Sequence, residues 1–129
     1  MNLRNRKLVR TIQILFGLFL AFFGLIGYFV ALPAPQYNEA ALAFFIALFN
    51  TGYILHVISI IFVLSALMFI FDRYSAFGAV LLAPVTFNIL LFHLFLDITG
   101  FHIALVLIIL NIYLGWVHWP RYKLVFSGQ

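Results

Sequence analysis

EAALAFFIALFNTGYILHVISIIFVLSALMFIFDR, the stretch from Glu39 to Arg73, decides the fold. Its apolar residues run from Ala40 to Phe71. That is too long for one crossing of a bilayer, which takes about 20 residues, and too short for two. Asn50-Thr51-Gly52 divides the stretch. The front piece, residues 39–49, reads as a short helix that lies at the outer interface or tucks back among its neighbours. The back piece, residues 53–71, reads as a span.

Charge supports this division. The seven Lys and Arg residues are Arg4, Arg6, Lys7 and Arg10, then Arg73, then Arg121 and Lys123. With one span in Glu39–Arg73, all seven fall on one side of a membrane, and the opposite connections carry Glu39 and Asp97. Short basic segments stay cytoplasmic. The remaining spans are then 11–32, 76–96 and 101–119. Pro33 and Pro35 break the chain after the first span, Pro84 interrupts the third, and Pro120 stops the fourth. The expected fold class is all-α: a four-helix transmembrane bundle with an extra interfacial helix between spans one and two. The whole of 1–129 forms one integral membrane domain in the cell's inner membrane, with both termini cytoplasmic.

Composition agrees. The chain has 129 residues, 67% hydrophobic and 8% charged, with a mean hydropathy of +1.20. A soluble domain carries about a quarter charged residues, and a chain this apolar has too little polar surface to face water. The net charge of +4 sits at span ends rather than along one folded face. It therefore points to topology and anionic lipid head groups, not to nucleic acid. There is no cysteine, which excludes disulfides, thiolate chemistry and thiolate metal sites. The first apolar run is longer than a signal-peptide core, and Ala31-Leu32-Pro33-Ala34 is a poor cleavage site. Tyr28, Tyr37, Tyr53, Tyr74, Trp116, Trp119 and Tyr122 fall near span ends, as interfacial anchors do.

Polar groups inside spans are costly, so function is sought on them. His56, His93, Asp97 and His102, with Glu39, gather toward the outer half, and Asn88 lies one to two turns below His93. Asn111 falls near the middle of span four. His93 and Asp97 are four apart and share a helical face. The leading reading is interhelical hydrogen bonding. A second is a site for a flat ligand such as a quinone, with Asn88 and His93 meeting its polar head. A third is a divalent metal, which lacks support from any i, i+4 histidine pair. No residue is assigned a catalytic role, no metal site is assigned and no covalently bound cofactor is expected. Gly17, Ala21 and Gly24 form a small-residue groove suited to close helix packing.

The segment Leu81-Leu82-Ala83-Pro84-Val85-Thr86-Phe87-Asn88-Ile89-Leu90-Leu91-Phe92-His93-Leu94-Phe95-Leu96-Asp97 resembles the third span of the DoxX-like family of small membrane proteins. Thr51-Gly52-Tyr53, Asp72-Arg73 and Trp116-Val117-His118 resemble further motifs of that family, in order and spacing. The resemblance implies a four-helix transmembrane bundle. It also implies membrane partnership with redox proteins, since the founding member resembles a subunit of a thiosulfate:quinone oxidoreductase. It carries over to Asn88, His93 and Asp97, with Pro84 as a structural feature. Where members carry Lys, Lys and Glu in spans one and two, this chain has Gly27, Ser59 and Phe62, which lowers the expectation of proton-coupled chemistry.

The expectation is thus a non-catalytic membrane subunit or accessory protein whose partners are the lipid bilayer and a redox protein or further copies of itself. A quinone-reactive component of an oxidoreductase is the alternative, and a small transporter the second alternative.

Overall fold

The computed structural model describes residues 2–29 and 38–127. Among them the chain is helical throughout: α1 (Arg6–Phe29), α2 (Glu39–Asn50), α3 (Ile54–Ile70), α4 (Ser75–Phe95), a 3-10 turn (Ile98–Gly100), α5 (Phe101–Val117) and α6 (Trp119–Phe126). Three stretches, Arg6–Phe29, Ser75–Phe95 and Ile98–Val117, are long and apolar enough to cross a membrane. α2 and α3 meet at a bend of 86°.

α1 starts five residues before the expected span because Asn5 caps it. The Asn5 side chain accepts from the Lys7 amide at 2.9 Å, and the Asn5 carbonyl takes the Val9 amide at 2.9 Å. The basic residues Arg6, Lys7 and Arg10 are good helix formers and extend the apolar run. The end of the expected first span, 30–32, and the Pro33–Tyr37 break lie outside the described residues. α2 is capped by Asn38, whose side chain accepts from the Ala41 amide at 2.9 Å, with Glu39 favourably placed in the first turn.

The bend between α2 and α3 comes from Thr51 and Gly52. The Thr51 hydroxyl donates to the Leu48 carbonyl and accepts from the Ile54 amide, at 2.6 and 3.2 Å. Gly52 takes φ +81°, which glycine adopts without strain. Two left-handed residues, Asp72 (φ 52°) and Tyr74 (φ 62°), turn α3 into α4. The Arg73 amide and the Ser75 hydroxyl both reach the Met68 carbonyl and hold this turn.

α1 packs along α3, α3 against α4 and α4 against α5, while α1 and α5 touch lightly. At Gly17 a Cβ would lie 2.6 Å from Ile70, and at Gly24 2.9 Å from Val63 and 3.0 Å from Phe62. α1 and α3 are therefore antiparallel and lie alongside each other over most of α3. The core is a thin seam of Phe16, Leu20, Ala66, Phe69, Ala79, Leu82, Leu107 and Leu114. Large apolar side chains cover the outside as well: Leu15 is 62% exposed and Phe22 58%. A surface of this kind is solvated by hydrocarbon, not by water.

α5 ends at Val117, short of Trp119, and α6 follows. Pro120 does not simply stop the chain. It occupies the first turn of α6, where its missing amide hydrogen leaves no bond unmade. The connectivity places all seven basic residues at one end of the helical stack, called the basic end below. Glu39 and Asp97 lie at the far end.

Candidate functional site

At the far end, α4 finishes at Phe95 and Asp97 follows in extended conformation, with φ −149°. His93 and Asp97 are nevertheless in contact. The imidazole Nδ1 lies 2.9 Å from the Asp97 carbonyl oxygen and 3.8 Å from its carboxylate. A carbonyl accepts, so Nδ1 carries the proton and the neutral ring presents Nε2 as an acceptor. The Asp97 carboxylate accepts from the Thr99 hydroxyl at 2.6 Å. The His93 ring occupies the space where a Cβ on Gly100 would fall. The Asn38 side chain donates to the Leu96 carbonyl, which ties the start of α2 to the end of α4.

A cleft of about 480 Å³ lies between α2, α3 and α4. Phe44, Leu48, Leu55, Ile58, Ile89 and Phe92 are among its walls, and Asn88 and His93 are its polar members. The Asn88 amide donates to the Pro84 carbonyl at 2.8 Å and leaves its own carbonyl oxygen available as an acceptor. Of the five candidate residues, the structure places Asn88 and His93 on one cleft, with Asp97 behind His93. His56 is exposed and packs edge-on against Tyr28, with ring centres 5.0 Å apart. His102 is exposed and lines a different groove, between α1 and α5. Among the described residues no three His, Asp or Glu side chains come together as a metal site.

Gly27 and Ser59 face each other across α1 and α3: a Cβ at Gly27 would sit 3.1 Å from the Ser59 hydroxyl. Phe62 packs under Gly24 on the same seam. Of these three positions Gly27 is exposed, Phe62 half-buried and Ser59 buried.

Midway along the stack, the Thr86 hydroxyl donates to the Asn111 side-chain oxygen at 2.6 Å, and the Asn111 amide donates to the Ala79 carbonyl at 3.0 Å. Both side chains are buried. This locks α4 to α5.

The basic end holds a second polar system, which the sequence reading missed. Gln13 of α1 is fully buried. Its amide donates to the Asp72 carboxylate at 2.9 Å and the Phe69 carbonyl at 3.2 Å, and its oxygen lies 3.1 Å from His118 Nε2. Since the carboxamide oxygen accepts, His118 Nε2 donates. Arg10 donates to the Phe69 carbonyl at 2.9 Å and to the Ile70 carbonyl, placing a cation on the C-terminus of α3. The Tyr122 hydroxyl donates to the Ala76 carbonyl at 2.6 Å and binds α6 to α4. Burial pushes the His118 pKa down. Arg121 pushes it the same way, and Asp72 opposes both.

No protein-family model, curated protein or solved structure matches this chain.

Proposed function

We propose that this chain is a non-catalytic integral membrane protein of the DoxX-like type, an accessory subunit that supports a membrane-associated redox complex. One observation carries the reading. Among the described residues, every buried side-chain nitrogen or oxygen has a hydrogen-bond partner within the chain. Gln13, Thr86 and Asn111 are occupied in holding helices together, which is structural work, and no buried group waits for a reactant. The resemblance of Leu81–Asp97 to the third DoxX-like span supports the family assignment.

The same reading takes α3 as a fourth crossing. At 17 residues it is roughly 26 Å long, near the ~30 Å hydrocarbon thickness, and it lies alongside α1. α2, at 86° to α3, then lies along the outer interface. With seven cations gathered at the basic end, that end and both termini are cytoplasmic.

Native mass spectrometry of the protein released gently from its own membrane tests the subunit reading. A retained protein partner is expected. Release as a bare monomer or homo-oligomer carrying only phospholipid overturns it, as does a His93→Ala variant that assembles normally yet loses an electron-transfer activity.

A second reading follows from Asn88 and His93 sharing one apolar cleft of about 480 Å³. The cleft suits a flat ring with polar oxygens, such as a quinone head group. The Asn88 amide, turned from Pro84, would donate to a ring oxygen, and His93 Nε2 would accept from the hydroxyl of the reduced ring, while the apolar walls hold the ring. Equilibrium binding of a ubiquinone analogue in lipid nanodiscs tests it. Retention lost in His93→Phe and Asn88→Leu supports the second reading, and absence of binding to the parent chain removes it.

A further inference from the structure

We infer that the groove between α1 and α5, with the cations at its basic end, binds an anionic phospholipid. The inference rests on the chain lying in a bilayer, as proposed above. α1 and α5 touch lightly and enclose about 480 Å³ between Leu15, Phe16 and Phe19 on one side and Val106, Leu107 and Leu110 on the other. The wall is apolar apart from His102 at the far end.

The helical repeat leads from this groove to a cationic mouth. On α1, Leu8 lies two turns below Leu15 on the same line of surface, and Lys7 stands beside it at the start of the helix, roughly 80° round the axis from Leu15. On α5, Tyr113 and Trp116 continue the row from Leu110 toward the basic end. There the Tyr113 hydroxyl donates to the Leu3 carbonyl at 2.6 Å. Arg4 donates to the Trp116 carbonyl at 3.0 Å, with its guanidinium 4.3 Å from the centre of the indole ring. The segment before α1 is thereby pinned across the foot of the groove and Arg4 is held in place. Arg4 and Lys7 are exposed, and among the described residues neither forms an ion pair with a carboxylate.

An apolar groove that ends in two unpaired cations fits a ligand with a hydrocarbon tail and an anionic head. A neutral lipid leaves the cations unpaired. A second copy of the chain is disfavoured by charge: in one membrane both copies point the same way and bring their basic ends, each part of a chain of net charge +4, to the same level. A phospholipid phosphate at Arg4 and Lys7, with an acyl chain running past Leu15 and Val106, satisfies both halves of the site.

The test compares phosphatidylglycerol with phosphatidylcholine, mixed equimolar, by native mass spectrometry and thermal unfolding of the full chain. One phosphatidylglycerol retained in preference is expected. Lys7→Ala lowers that preference roughly fivefold, the scale of one cation at an anionic head group, and its unfolding midpoint in phosphatidylcholine matches the parent. Val106→Trp, at an exposed position, fills the groove and removes the retained lipid. Equal retention of the two lipids overturns the inference, as does an unchanged preference in Lys7→Ala. Stabilisation by inorganic phosphate alone that survives Val106→Trp would make the mouth a free-phosphate site and also overturns it. So does a homodimer that replaces the lipid adduct. Alkaline extraction separates the two levels. If the chain leaves the membrane, the membrane reading fails with the lipid site. If it stays and shows no lipid preference, the lipid site alone fails.

Discussion

Gln13 and Asp72, 59 positions apart, are joined by a 2.9 Å hydrogen bond from carboxamide to carboxylate. The other face of the same carboxamide takes the His118 proton. One buried side chain on α1 thus connects the α3–α4 turn to the α5–α6 junction. In a membrane protein the interior is held by such contacts and by packing, because lipid tails give helices little hydrophobic reason to associate.

Replacing Gln13 with Leu keeps the volume and removes the connector. The His118 donor is left without its partner in a half-buried site, and Asp72 loses its tie to α1. The expected loss is about 1–3 kcal/mol, the cost of stranding a buried polar group, measured as reversible unfolding in mixed micelles. A loss within experimental error would show that the network is incidental to stability.

The same network makes stability depend on pH with a definite sign. His118 has its pKa depressed below 6.5 in the fold, by burial first and by Arg121 second, against Asp72. The unfolded chain therefore binds this proton before the folded chain does. The contribution is fully present above pH 6.5 and is lost as pH falls toward the depressed folded value, below which it levels off. Unfolding midpoints measured across this range should decline on acidification in the parent and stay flatter in His118→Gln. Equal slopes in the two proteins would locate the titration elsewhere.

These relations differ in how far the sequence reveals them. The break at Asn50-Thr51-Gly52 is legible because the residues that make it are local: a hydroxyl that bonds its own turn and a glycine at φ +81°. The His93–Asp97 contact follows from spacing of four, although α4 stops at Phe95 and backbone geometry completes the approach. His56 and His102 share a membrane level with His93, but level along a helix says nothing of rotation about it. One meets Tyr28 and the other lines the α1–α5 groove. Gln13 gives no periodic signal at all, since its partners come from two distant turns. Pro120 is ambiguous in principle: the same missing amide ends one helix and suits the first turn of the next.

Thr86 and Asn111 form a pair suited to a double-mutant cycle. Thr86→Val and Asn111→Leu each remove one partner of the 2.6 Å bond between α4 and α5. The coupling expected from unfolding measurements is about 1 kcal/mol, between the average of about 0.6 and the maximum of about 1.7 found for interhelical hydrogen bonds in a membrane protein. A coupling near zero would mean that each residue acts through its backbone contact alone, Thr86 with Ala83 and Asn111 with Ala79.

The glycines should separate by what a methyl group would meet. At Gly24 it would lie 2.9 Å from Val63, 3.0 Å from the Phe62 Cβ and 3.1 Å from the Ser59 carbonyl. Two of these are fixed to backbone, so α1 must lift from α3. At Gly17 it would lie 2.6 Å from Ile70 Cγ1 and 3.1 Å from the Ala66 carbonyl, a β-branched side chain and a backbone atom that yield no more easily. At Gly115 nothing lies within 4 Å, and alanine inside α5 gains about 0.5–1 kcal/mol in helix propensity. The expected order of unfolding midpoints is therefore Gly115→Ala above the parent and both Gly17→Ala and Gly24→Ala below it, each with a loss of about 1–3 kcal/mol, as for an overpacked core. A Gly24→Ala protein as stable as the parent would show that α1 and α3 have slack between them, and that Gly17 and Gly24 do not set the distance at which the two helices pack.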